Sequence, residues 1–135
     1  MKYNTQELDK LVDEWIAFRY HMNNAKTKTE EDKLQCYDME LMDNCIISKL
    51  PKLALSIIVQ ILEKDSSDRI VPVLAAGELE DILSLHGENI IELIEQTAHK
   101  NLKFKKLLGG IWQANMSDEI YKRVINAAGG EEKKW

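Results

Sequence analysis

The sequence predicts an all-α protein, a compact bundle of about six or seven helices. Three observations predict it. Only two prolines and six glycines interrupt 135 residues, too few for the tight turns of a many-stranded sandwich. Leu, Ile, Glu, Lys and Ala, all good helix formers, dominate the rest. The apolar residues also recur at spacings of three, four, seven and eight, the rhythm of helices with one buried face. A chain of this length suits one domain, placed at residues 1–130 with a charged, frayed tail at 131–135. It is long enough to bury a core without a metal or disulfide staple.

The first helix is expected to start on Thr5 as N-cap and to bury Leu8, Leu11, Val12, Trp15, Ile16 and Arg19. "NNAKTKTE" breaks it. Thr29, followed by Glu30, Glu31 and Asp32, reads as the cap of a second helix through "EEDKLQCYDMELMDNCIIS", its acids favourable against the helix dipole. Pro51 fits the first turn of a third helix, where its missing N–H costs nothing. Leu50, Leu53, Ala54, Ile57, Ile58, Ile61 and Leu62, widened by Leu55 and Val59, make this the most deeply buried helix. Ser67 or Asp68 is expected to cap "RIVPVLAAG", a short helix closed by Gly77. "ELEDILSLHG" follows as a new helix from Glu78 that stops at Gly87, and "ENIIELIEQTAHK" as another. The stripe Phe104, Leu107, Leu108, Ile111 and Trp112 predicts a helix running on through Gly109 and Gly110. Ser117 should cap the last helix, whose face is Ile120, Tyr121, Val124, Ile125 and Ala128, with Gly129 as its left-handed stop.

An echo at an offset of 33 residues links Ser56, Ile57, Ile58 and Ile61 to Asn89, Ile90, Ile91 and Ile94. It also links Val71, Leu74, Ala75 and Gly77 to Phe104, Leu107, Leu108 and Gly110. Helical hairpins stacked as a short, HEAT-like α-solenoid would produce it.

Composition narrows function mainly by exclusion. A net charge of −5 and a pI near 5.2 argue against nucleic-acid binding, which calls for a basic stripe. "LALSIIVQIL" at 53–62 is too short to span a bilayer, and the polar start "MKYNTQELDK" has no signal-peptide core. No membrane role and a cytoplasmic location are expected. Cys36 and Cys45, nine residues apart on one helix, would point about 180° apart and lie about 13 Å apart along the axis. Reduced thiols are therefore expected, and no Cys-x-x-Cys offers a zinc site. Met22, Met39, Met42 and Met116 read as core fillers. His21 and His99 fall near helix ends, where the ring often bonds free carbonyls.

"LAAGELEDILSLHG", residues 74–87, gathers three carboxylates, a serine and a histidine beside a glycine. On a helix beginning at Glu78, Leu79, Ile82, Leu83 and His86 share one face. Asp81 lies about 200° from Leu79, and Glu78 and Glu80 about 100° to either side. The acids diverge, whereas a two-carboxylate hydrolase or a metal site needs them to converge. The segment reads instead as an acidic helix start, stabilised by the dipole, ending at a His86–Gly87 cap. No nucleophile elbow, P-loop or dinucleotide fingerprint occurs elsewhere. No cofactor and no metal are expected.

The segment Leu74 to Gly87, the pair Ile94-Glu95, and the element Phe104 to Trp112 (Phe…Leu-Gly-Gly-x-Trp) resemble an uncharacterised bacterial family, a domain of unknown function. The resemblance covers about residues 50 to 115 and leaves the first 45 outside. It implies a bacterial, helical protein with no established activity. Many of those relatives have proline where this chain has Glu78, which would favour a helix starting there.

Charge is uneven along the chain. Residues 63–95 carry nine acids against Lys64 and Arg69, a net −7, while residues 96–112 carry four lysines and no acid. Such an acidic face on a helical scaffold would steer a basic protein partner. A non-enzymatic protein-binding module is expected, most concretely an immunity- or antitoxin-type inhibitor of a basic bacterial toxin. Its contact residues would be Glu78, Glu80, Asp81, Glu88, Glu92 and Glu95. An intracellular scaffold or self-associating protein is the alternative, followed by a small enzyme with a site near Glu80 and His86. Oligomeric state is left open.

Overall fold

A computed structural model describes residues 4–24 and 46–135, with side chains at 4–20 and from 46 onward. The expected second helix lies outside the described residues except for its end, where Ile46 and Ile47 are buried. Thr29, Cys36, Cys45, Met39, Met42 and the side chains of His21 and Met22 also lie outside.

Among the described residues all regular structure is helical, in five rods. They are α1 (Thr5–Asn24), α2 (Pro51–Lys64), α3 (residues 71–100), α4 (Leu102–Leu108) and α5 (Asp118–Ala128), with a single 3-10 turn at Glu131–Lys133. The count among the described residues is slightly below the expected six or seven, because the expected second helix lies outside them and two expected breaks are absent. Val71–Leu74 passes through a π-helical turn, Ala75–Leu79, straight into Glu80–Lys100. Gly77 therefore does not close a helix, and Glu78 does not open one. Gly87 is likewise mid-helix: a Cβ there would sit 3.2 Å from Ile120 Cγ2, so it lets α3 and α5 approach closely.

Caps set the remaining boundaries. Asn4, one residue before the expected Thr5, caps α1: its side-chain oxygen accepts from Glu7 N–H at 2.8 Å, and its amide donates to the Glu7 carboxylate at 3.0 Å. The first bond satisfies a free N–H of the first turn, and the second, between side chains, holds the cap in place. Pro51 opens α2 as expected. Ile70 precedes α3 with no side-chain cap, so neither Ser67 nor Asp68 has the expected role. Asn101 caps α4 and Ser117 caps α5, and Gly129 closes α5 at φ 111°.

The core follows the apolar rhythm. Leu8, Leu11, Val12 and Trp15 of α1 pack on α2, which buries Leu53, Ala54, Leu55, Ile57, Ile58, Ile61 and Leu62. α3 is the central rod and meets α2, α4 and α5, most extensively α5. Both halves of the 33-residue echo touch α3, so the two imagined hairpins share one helix. Met116 is buried as a core filler. At the rim, Lys64 clasps Asp9 and Asp13 of α1, at 2.7 Å to Asp13.

The tail is corrected from frayed to seated. α4 ends at Leu108 rather than running through the glycines, and Trp112 is 74% exposed. Trp135 supplies the reason. Its backbone N–H donates to Gly109 O at 2.9 Å, and its indole N–H donates to Lys106 O at 2.8 Å. Trp135 thus bonds carbonyls at the end of a helix, joining the Gly109 N–H that also reaches Lys106 O. A Cβ on Gly110 would lie 2.5 Å from the indole, and one on Gly109 would lie 2.4 Å from Lys133 O. The paired glycines are the floor of that seat.

Candidate functional site

The acids of residues 74–87 do not behave as a group. Glu78 points inward from the π turn and is 2% exposed, which corrects the expectation that it splays outward. Its Oε1 accepts from Trp15 Nε1–H and from Arg19 Nη2–H, both at 3.0 Å. The Arg19 guanidinium lies 4.9 Å from the Trp15 ring centroid and 5.7 Å from that of Phe18. A buried carboxylate is tolerable when paired and hydrogen-bonded, and α1 supplies both donors one turn apart. Trp15 and Arg19 carried the signal in sequence, as a polar head and an indole at the end of an apolar stripe. Their partner, 59 and 63 residues away, left no local trace.

The other acids stay outside. Asp81, Glu88 and Glu92 are exposed and Glu80 is half-buried. Asp81, Leu85, Glu88 and Glu92 follow one another at steps of four, three and four, which places them on one face of α3. Leu85 is 62% exposed among them. The opposite face of the rod buries Ile82, Leu83, Ile90, Ile91 and Ile94, so the acidic face stands on a fixed support. Glu95 is tied to Arg123 of α5 by two hydrogen bonds, one of them 3.0 Å. The Arg123 guanidinium holds the Glu95 carboxyl below its usual range against the opposing effect of burial.

Elsewhere, burial pushes the Asp65 carboxyl up, but bonds from Tyr20 Oη, the Ser67 hydroxyl and Ser67 N–H together bring it below its usual value. Asp65 thus anchors the turn after α2 to α1, with Tyr20 Oη donating at 2.5 Å.

His86 was expected at a helix end, bonding a carbonyl. It does bond one, but from mid-helix: its Nε2–H donates to Ile47 O at 2.8 Å. A cavity of about 240 Å³ borders His86 together with Ser84, Glu88, Asn115 and Ser117. Among the described residues no hydrogen bond joins any two of those side chains, so no hydroxyl has a bonded base of the kind a nucleophile needs. No three His, Cys, Asp or Glu side chains among the described residues gather as metal ligands. No helix there is long and apolar enough to cross a membrane. His99 is exposed at the end of α3.

No curated protein and no solved structure shows measurable similarity to this chain. A family of unknown function, DUF6869, matches residues 24–131, and the chain belongs to that family.

Proposed function

We propose that this protein is a non-enzymatic binding module that holds a basic protein partner on the exposed face of α3. Its most concrete form is an immunity- or antitoxin-type inhibitor of a basic toxin. One observation carries the reading: Asp81, Glu88 and Glu92 flank the exposed Leu85 on one face of a helix whose other face is locked into the core. An apolar residue ringed by like charges suits a contact in which charge steers the encounter and sets its salt dependence. The apolar centre then loses water on docking. Glu78 takes no part, being buried, and Glu95 is engaged by Arg123; Glu80 lies at the edge of the face.

Affinity purification from the native cell tests the proposal, using the wild-type chain and the variant Leu85→Asp/Glu88→Lys/Glu92→Lys, with bound proteins identified by mass spectrometry. The expected result is a basic protein retained by the wild type, released by salt and lost from the variant. A variant that unfolds like the wild type and keeps every partner would remove the α3 face from the reading. So would a retained partner that is acidic.

A further inference from the structure

A separate cleft, about 300 Å³, lies between the turn at residues 66–72 and α4. Val71, Pro72 and Trp135 supply its apolar lining. Trp135 is held by hydrogen bonds at both its backbone and ring N–H, over glycines that leave room for it. This part of the lining is therefore set before any ligand arrives, which lowers the ordering cost of binding. Two lysines of α4, Lys103 and Lys106, line the same cleft three residues apart, hence on one helix face. Lys103 has a loose, exposed ion pair with Glu63 at 4.0 Å. Among the described residues no carboxylate pairs with Lys106. Asp68 and Ser66 also line the cleft, and the Asp68 carboxylate would repel a second negative charge.

Apolar walls with a few convergent polar groups are the make-up of a small-molecule site. Here a proline and an indole in the lining call for a ring and the two ammonium groups for one anion. We propose that this cleft binds a small aromatic monocarboxylate, its ring against Trp135 and Pro72 and its carboxylate with Lys103 and Lys106. The inference is independent of the α3 face.

Naphthalene-2-carboxylate is the probe, with uncharged 2-naphthylmethanol as its control, followed by the indole N–H signals in 1H–15N NMR. The carboxylate is expected to shift the Trp135 signal and leave that of the buried Trp15 in place. Its affinity is expected to exceed that of the alcohol at least about fivefold, the equivalent of one exposed charge contact. Lys103→Gln/Lys106→Gln should erase the difference while its unfolding curve stays that of the wild type, and Trp135→Ala should abolish binding of both compounds. Equal affinity for the two compounds would overturn the proposal, as would an unmoved Trp135 signal or a glutamine variant that still prefers the carboxylate. Concentration-dependent dimerisation lost in the same variants would assign the cleft to a second copy of the chain and also overturn it.

Discussion

Replacing Arg19 with methionine tests the interior ion pair most directly. The side chain of Glu78 is 3% exposed and that of Arg19 23%. The two ends of the pair are therefore unequal. Arg19→Met leaves a carboxylate in the interior with its Trp15 bond but without its cation. Breaking a buried pair this way costs about 3–5 kcal/mol, and the surviving indole bond places this case near about 3 kcal/mol. Glu78→Gln keeps an oxygen for the indole and leaves Arg19, which already reaches water, to hydrate; its cost is about 1 kcal/mol. The double variant should sit near the glutamine single, giving a coupling of roughly 3 kcal/mol. Urea unfolding at pH 7, followed by far-ultraviolet circular dichroism, measures all three. A Glu78→Gln variant as damaging as Arg19→Met, or strictly additive effects, would refute the unequal burial on which the reasoning rests.

The glycines separate into opposite outcomes. A Cβ on Gly77 meets nothing within 4 Å, so Gly77→Ala should stabilise by about 0.5–1 kcal/mol and raise Tm by a few degrees. Gly110→Ala should unseat Trp135, seen as faster proteolysis after Lys133 and Lys134, and should cost nothing further in a Trp135→Ala background. Because Glu95 titrates below its usual 4.5 in the folded state, its contribution is present above that pH and is lost as pH falls through the lower folded value. The gap in urea midpoint between wild type and Glu95→Gln should therefore be full at pH 6, close on acidification, and shrink with salt. Residues 25–135 alone should lack a cooperative transition. Removing α1 takes away the burial of Leu8, Leu11, Val12 and Trp15, about 1.5–3 kcal/mol each, comparable with the whole stability of a small domain.

What could be read from the sequence was whatever has a local cause. The faces of α1 and α2, Pro51 at a first turn, Ser117 as a cap and Gly129 as a left-handed stop all follow from spacing and from single-residue chemistry. The failures share a different cause. For Gly77, Gly87 and the pair Gly109–Gly110 the local signal is propensity alone, which treats glycine as a turn or tolerates it in a stripe. In the fold Gly87 makes room for Ile120 and Gly109–Gly110 make room for Trp135, neighbours 33 and about 25 residues away that no local window contains. Gly77 has no such neighbour, and nothing in the structure explains it. Of the acids, Asp81, Glu88 and Glu92 lie outside as helical phase suggests. Glu78 differs because its outward phase requires a helix start at residue 78, where α3 is continuous.

That misplaced start bears on the family as well as on this chain. The family match begins at residue 24, so it includes Glu78 and excludes Trp15 and Arg19. The acid is buried by one segment and made tolerable by another, and neither half of the arrangement has a reason without the other. An Arg19 with no acid opposite would lose its 3.0 Å contact. Glu78 against an apolar first helix would be a charge without its cation in a core of leucine and isoleucine, which folding rejects by several kcal/mol. An uncharged residue at this position would bury no charge and need no cation from α1. Residue 78 and the first helix are therefore coupled: an uncharged residue there would release α1 from keeping arginine and tryptophan one turn apart. In this chain the pair instead fixes the register of α1 along α3, because sliding α1 by one turn would carry both donors about 5.4 Å past the single carboxylate they share.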